Sequence, residues 1–187
     1  MDVRGIFAQH ISVASQAALD LPDTLAEVIE CVARCICDGH KILACGNGGS
    51  ASDAQHLTAE LVGRFCRTRR ALPAISLTSD PSTFSALAND FGFEEVFARQ
   101  IEGLAHPGDV LIALTTSGNS PNVVRAAEAA RRAGCRVVAL TGSDGGRVAA
   151  HAQICVRAPS AVVARIQEIH TLCIHVIAEA LDERLGR

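Results

Sequence analysis

A chain of 187 residues with 17 Lys and Arg against 20 Asp and Glu carries a formal charge of -3, which argues against a polyanion such as nucleic acid as its partner. That length supports one sizeable hydrophobic core and is too short for two ordinary enzyme domains, so residues 1–187 are read as a single domain. The opening MDVRGIFAQHISVASQAALD lacks the apolar centre of a signal peptide, and no run approaches the ~18–20 apolar residues of a membrane span, so a cytoplasmic protein without membrane contact is expected.

Two amphipathic helices, about 5–20 and 23–38, open the chain. Five mostly apolar runs then read as strands covered on both faces: KILACG at 41–46, PAISLT at 73–78, DVLIALT at 109–115, RVVALTG at 136–142 and AQICVRA at 152–158. Helical stretches alternate with them at 50–64, about 81–103, 121–133 and about 143–150, and a long helix from about 160 to 184 ends the chain. Strand followed by helix, repeated, predicts a parallel sheet with right-handed crossovers, sandwiched by helices. The terminal helices carry more apolar residues than one sheet face needs, which points to packing between subunits. The basic run RFCRTRR at 64–70 reads as a solvated surface loop. The eight cysteines form no C-x-x-C pair and mostly sit singly in apolar surroundings, so they read as reduced, buried thiols.

In such a sheet, ligands sit beyond the carboxyl ends of the strands, and two turns there are unusual. In GNGGSAS, Gly46, Gly48 and Gly49 permit close backbone approach, Asn47 offers an amide, and Ser50 reads as the N-cap of the next helix with Asp53 three residues on. In TTSGNSP, Thr115, Thr116, Ser117 and Ser120 crowd hydroxyls around Gly118, and Ser120 then Pro121 read as N-cap and first helical residue. Hydroxyls and free N–H groups at a helix N-terminus suit a phosphate monoester, and this second loop is the better cradle. A dinucleotide is disfavoured because no acid follows about 20 residues past the glycines, and a nucleoside triphosphate because no Lys follows them.

The helix after the Gly loop carries His56 and Glu60. Spaced i, i+4, they share a face one and two turns below the loop, where they can serve as acid and base or hold one metal ion. The last helix adds Gln167, Glu168, His170 and His175 to an otherwise apolar segment, RIQEIHTLCIH.

Assembled, these residues resemble the sugar isomerase (SIS) fold, flavodoxin-like in class, and within it the phosphoheptose isomerases that act on sedoheptulose 7-phosphate. The likeness covers nearly the whole chain and rests on CGNGGSASDAQH with Glu60, LPAISLTSD, ANDFGFEEVF, GDVLIALTTSGNSPNV, ALTGSDGG and RIQEIHTLCIH. It implies that Glu60 and His175 are the catalytic pair. It also implies one zinc ion per subunit, held by His56, Glu60, Gln167 and His175. Substrate contacts are implied for Asn47, Gly48, Gly49, Ser50, Asn89, Asp90, Thr115, Thr116, Ser117, Ser120 and Gln167. A homotetramer, a phosphorylated seven-carbon sugar as substrate, and a product used for bacterial surface polysaccharide complete what it implies. Ala164 departs from the pattern, since some relatives carry an acidic side chain before RIQE.

The rival reading is a non-catalytic SIS protein of the replication-initiator-associating type, whose relatives lack the acid and base pair. Isomerisation of another ketose phosphate is a third reading. Gln167 and His175 stand eight residues apart, ~12 Å along a helix and ~80° around it, which favours a site completed by two copies of the chain.

Overall fold

The computed structural model describes residues 2–186. In chain order the elements are α1 (Val3–Asp20), α2 (Pro22–Cys37), β1 (Ile42–Cys45), α3 (Gly49–Val62), β2 (Ala74–Ser76), α4 (Pro81–Phe91), α5 (Ala98–Leu104), β3 (Val110–Leu114), α6 (Pro121–Arg132), β4 (Arg136–Thr141), β5 (Ile154–Arg157) and α7 (Val163–Leu185). The strands form one parallel sheet in the order β2-β1-β3-β4-β5, with Ile42 opposite both Ala74 and Val110, Val110 opposite Arg136, and Val138 opposite Ile154. The parallel sheet is the one expected from the alternation of strands and helices, and its order is of the flavodoxin-like class that the family resemblance implies.

The period of two along each strand splits the interior into two cores. Ile42 and Ala44, Val110, Ile112 and Leu114, and Val138 and Leu140 face α2, α3 and α7, while Leu43 and Cys45, Leu111 and Ala113, and Val137 and Ala139 face α5 and α6. Because both faces are covered, the central strands are apolar at nearly every position and stand out in the sequence as continuous runs. At the N-terminus, Arg165 on α7 donates to the Ile6 carbonyl at 2.9 Å and His10 meets Glu168 at 2.6 Å, fastening α1 to the last helix.

Several boundaries differ from the sequence reading. The helix expected over 81–103 is broken, because Gly92 takes φ +89° and a 3-10 turn at Phe93–Glu95 precedes α5. The helix expected at 143–150 is a 3-10 turn at Arg147–His151, entered through Gly145 and Gly146, both with positive φ. The last helix starts at Val163. Of the cysteines, Cys31, Cys35, Cys45, Cys135 and Cys173 are buried and free, whereas Cys37 and Cys66 are exposed. Burial pushes the thiols of Cys35, Cys45 and Cys173 up to about 12, leaving them protonated and unreactive.

The basic run at 64–70 is not simply a solvated loop. Arg69 and Asp182 both have fully buried side chains and pair at 2.6 Å. The Arg69 guanidinium also donates to the carbonyls of Glu60 (2.7 Å) and Leu61 (2.8 Å), satisfying the last turn of α3. Asp182 on α7 accepts from the backbone N–H groups of Cys66 (2.7 Å) and Arg67 (2.8 Å). Burial alone would raise the Asp182 carboxyl, but the hydrogen bonds from the Arg67 N–H, the Arg69 guanidinium and the Cys66 N–H outweigh it and lower it. Removing one partner of a pair buried in this way costs about 3–5 kcal/mol, against about 0–1 kcal/mol for a solvated pair. The clamp therefore fixes α3 to α7, the two helices that carry the candidate acid and base.

Candidate active site

β1 leads to α3 on one face of the sheet, and its neighbour β3 leads to α6 on the other, so a crevice opens between their carboxyl ends. Both loops singled out in the sequence, GNGGSAS and TTSGNSP, lie there. Asn47 and Asn122 join them by a reciprocal pair of amide hydrogen bonds, 2.8 and 2.9 Å long. Asn122 is buried in the first turn of α6 and is inconspicuous in the sequence, where SPNVV reads only as a helix start.

In the first loop, the N-cap is Gly48 (φ +55°) rather than Ser50. Ser50 lies inside the first turn of α3, buried, with its backbone N–H donated to the Asn47 carbonyl at 3.0 Å. No side chain caps this helix; the N–H groups of Ser50, Ala51 and Ser52 turn back to the carbonyls of Asn47 and Gly48 at 3.0–3.2 Å. Gln167 of α7 packs on Gly49, and a Cβ at that position would collide with its amide. Asp53 is buried and accepts from Thr171 of α7 at 2.9 Å, a structural tie between the helices.

In the second loop, Ser120 and Pro121 occupy N-cap and first helical positions as expected, yet the Ser120 hydroxyl makes no cap bond. It faces the hydroxyl of buried Thr115 at 3.3 Å. Ser117 is exposed and accepts from the Asn119 N–H at 3.1 Å. Gly118 (φ +66°) packs so closely against Gly145 and Gly146 that no side chain would fit, and the Thr116 carbonyl accepts from the Gly142 N–H at 3.1 Å. The hydroxyls of Thr115, Ser117 and Ser120 therefore surround an uncapped helix N-terminus.

Asn89 and Asp90 bond to each other rather than to these loops. They are exposed in the last turn of α4, where the Asn89 amide donates to Asp90 at 2.9 Å, and neither side chain hydrogen-bonds to either loop.

His56, Glu60 and His175 converge further down α3. His56 Nε2 lies 3.1 Å from Glu60 Oε1 and 3.3 Å from His175 Nε2, and the two imidazoles meet edge to face with centroids 4.9 Å apart. The Glu60 side chain is one-fifth exposed, accessible to a ligand yet partly shielded. Because α3 starts at Gly49, His56 and Glu60 lie about two and three turns along it, ~10 and ~16 Å from its start, deeper than the sequence reading placed them. His170, by contrast, is fully buried, with Nε2 3.1 Å from the Thr141 carbonyl, and burial lowers its basicity.

Two imidazoles and a carboxylate suit zinc in kind, and their spacings are close to the ~3.3–3.6 Å edges of a tetrahedron with ligand bonds of ~2.0–2.2 Å. Among the described residues, however, no three His, Cys, Asp or Glu side chains enclose a metal position. Three of the four implied ligands meet within one chain, while Gln167 sits upstream against Gly49.

The SIS domain family matches residues 7–142, so the class that fold and loops define is a SIS domain. The phosphoheptose isomerase of Shewanella sp. (strain ANA-3) is 47% identical over 98% of this chain and 94% of its own length. The structure of the phosphoheptose isomerase from Neisseria gonorrhoeae superposes with a TM-score of 0.91 at 41% identity, covering 97% of each chain. That of the Francisella tularensis enzyme gives 0.91 at 36% identity over 97% of this chain and 96% of that one. The chain belongs to the phosphoheptose isomerase family.

Proposed function

We propose that the chain interconverts sedoheptulose 7-phosphate and D-glycero-D-manno-heptose 7-phosphate, an aldose–ketose isomerisation that supplies heptose precursors for bacterial surface polysaccharide. The carrying observation is the meeting of Glu60, His56 and His175 in a chain 47% identical, over nearly its full length, to a phosphoheptose isomerase.

The reaction moves one proton from C1 to C2 while the carbonyl moves from C2 to C1, and needs no net oxidation. Glu60 takes the carbon-bound proton, an enediol forms, and the carboxylic acid returns a proton to the adjacent carbon. His175 moves protons between the two oxygens. Ser117 and Ser120, with Thr115, Thr116 and the N-terminus of α6, bind the phosphate. Asn47, Gly48, Gly49, Ser50 and Gln167 contact the sugar. His56, Glu60 and His175 would hold zinc, with Gln167 as the implied fourth ligand, and the ion would polarise the sugar oxygens as a Lewis acid.

The working form is a homo-oligomer, a tetramer by family resemblance. Val3, Ile6, Phe7 and Ile11 of α1 and Leu172 and Val176 of α7 are exposed apolar residues that a second copy would cover. Gln167 packs against Gly49 while His175 meets His56 about two turns further along α7, a separation that favours a site completed across copies. No helix among the described residues is long and apolar enough to cross a membrane.

Purified protein assayed against five-, six- and seven-carbon ketose phosphates is expected to turn over the seven-carbon substrate with the highest kcat/KM. Preference for a shorter ketose would reassign the substrate, and no turnover of any would remove the enzymatic reading. The same assay over a dilution series, with sedimentation, reports whether turnover needs the assembly.

A further inference from the structure

We propose that Phe65 is a positioning residue for His175, its ring holding the plane of the imidazole that the isomerase reading assigns to proton transfer. The Phe65 and His175 rings are stacked, with centroids 5.3 Å apart and planes 21° apart. The edge of His56 closes the neighbouring side at 4.9 Å and 77°. A histidine's terminal torsion is broad when unconstrained, so a flat apolar surface against one face narrows it to orientations in that plane. The in-plane Nε2 then points at His56 Nε2, 3.3 Å away.

Phe65 is not there as core filling. It belongs to neither hydrophobic core of the sheet, and it is one of only six aromatic side chains of the Phe, Tyr and Trp type in the sequence. Its place is set by the clamp described above. Asp182 stands seven residues after His175 on α7, so both project from one face of the helix about two turns apart. The backbone N–H groups of Cys66 and Arg67, immediately after Phe65, are bound to Asp182, and Arg69 in the same loop is bound to the carbonyl of Glu60. One short segment therefore registers the aromatic ring on His175 and ties the backbone of Glu60 to the same helix.

The proposal rests on the isomerase reading, and the test separates the two. Wild type, Phe65→Leu and Phe65→Tyr are compared in steady-state kinetics, with thermal unfolding to confirm that each variant is folded, and by NMR of histidine-labelled protein. Phe65→Leu is expected to lower kcat about tenfold or more with KM changed little, since small misplacements of reacting groups cost up to ~10²-fold. Phe65→Tyr keeps the ring and is expected to restore most of kcat. The His175 ring-proton resonances carry the ring current of Phe65, so they should move in Phe65→Leu and return towards wild type in Phe65→Tyr. Wild-type kcat in a folded Phe65→Leu, or unmoved His175 resonances, would overturn the proposal. If wild type turned over no ketose phosphate, the isomerase reading and the positioning role in it would both fall, and the NMR arm would report whether the stack itself exists.

Discussion

Glu60→Gln is expected to leave the protein folded and able to bind the sugar phosphate while turnover falls by at least ~10²-fold, the lower range for a positioned general base. Gln has the shape of Glu and can keep a hydrogen bond to His56, 3.1 Å away, so the helix and its neighbours need not move. What it lacks is a carboxylate oxygen able to accept and return a proton. The backbone of residue 60 is held independently by Arg69 at 2.7 Å, so a misfolded site is not the expected cause of the loss. KM should change little, because the proposed phosphate contacts lie on the loop before α6 and not on α3. Steady-state kinetics with circular dichroism checks this, and near-normal turnover would remove Glu60 from the mechanism.

Ser117→Ala together with Ser120→Ala should raise KM with a smaller effect on kcat. Each hydrogen bond lost to a charged group costs about 1.5–3 kcal/mol, or roughly ten- to a hundredfold in affinity. The Ser120 hydroxyl does not cap α6 in the free protein, and Ser117 is exposed, so neither removal should damage the fold. Inhibition by inorganic phosphate should weaken in parallel. An unchanged KM in the folded double variant would place the phosphate elsewhere.

Much of the fold and site is legible in the sequence because its physics is local. Strands covered on both faces are continuous apolar runs, and Gly-rich or hydroxyl-rich turns before helices announce themselves. The i, i+4 spacing of His56 and Glu60 likewise puts both side chains on one face of any α-helix that contains them. What is not legible depends on long-range contact. Nothing near Arg69 distinguishes it from its solvated neighbours, because its partner Asp182 is 113 residues away. Asn122 gains meaning only when β1 and β3 become neighbours and bring Asn47 to it. Phe65 gains its role only because the loop folds back onto α7 and lays the ring on His175. The break at Gly92 is readable in principle from the glycine, but the apolar periodicity continuing through Phe93 and Val96 masks it.

The most direct test of the account is to incubate the purified protein with sedoheptulose 7-phosphate in D2O over many turnovers and to follow the products by NMR. Formation of the seven-carbon aldose phosphate with deuterium at C2 is predicted, because the proton carried by Glu60 exchanges with solvent at the enediol stage. Full retention of the transferred hydrogen would point to hydride transfer and contradict the proton-transfer mechanism, and absence of any aldose product would contradict the isomerase assignment itself.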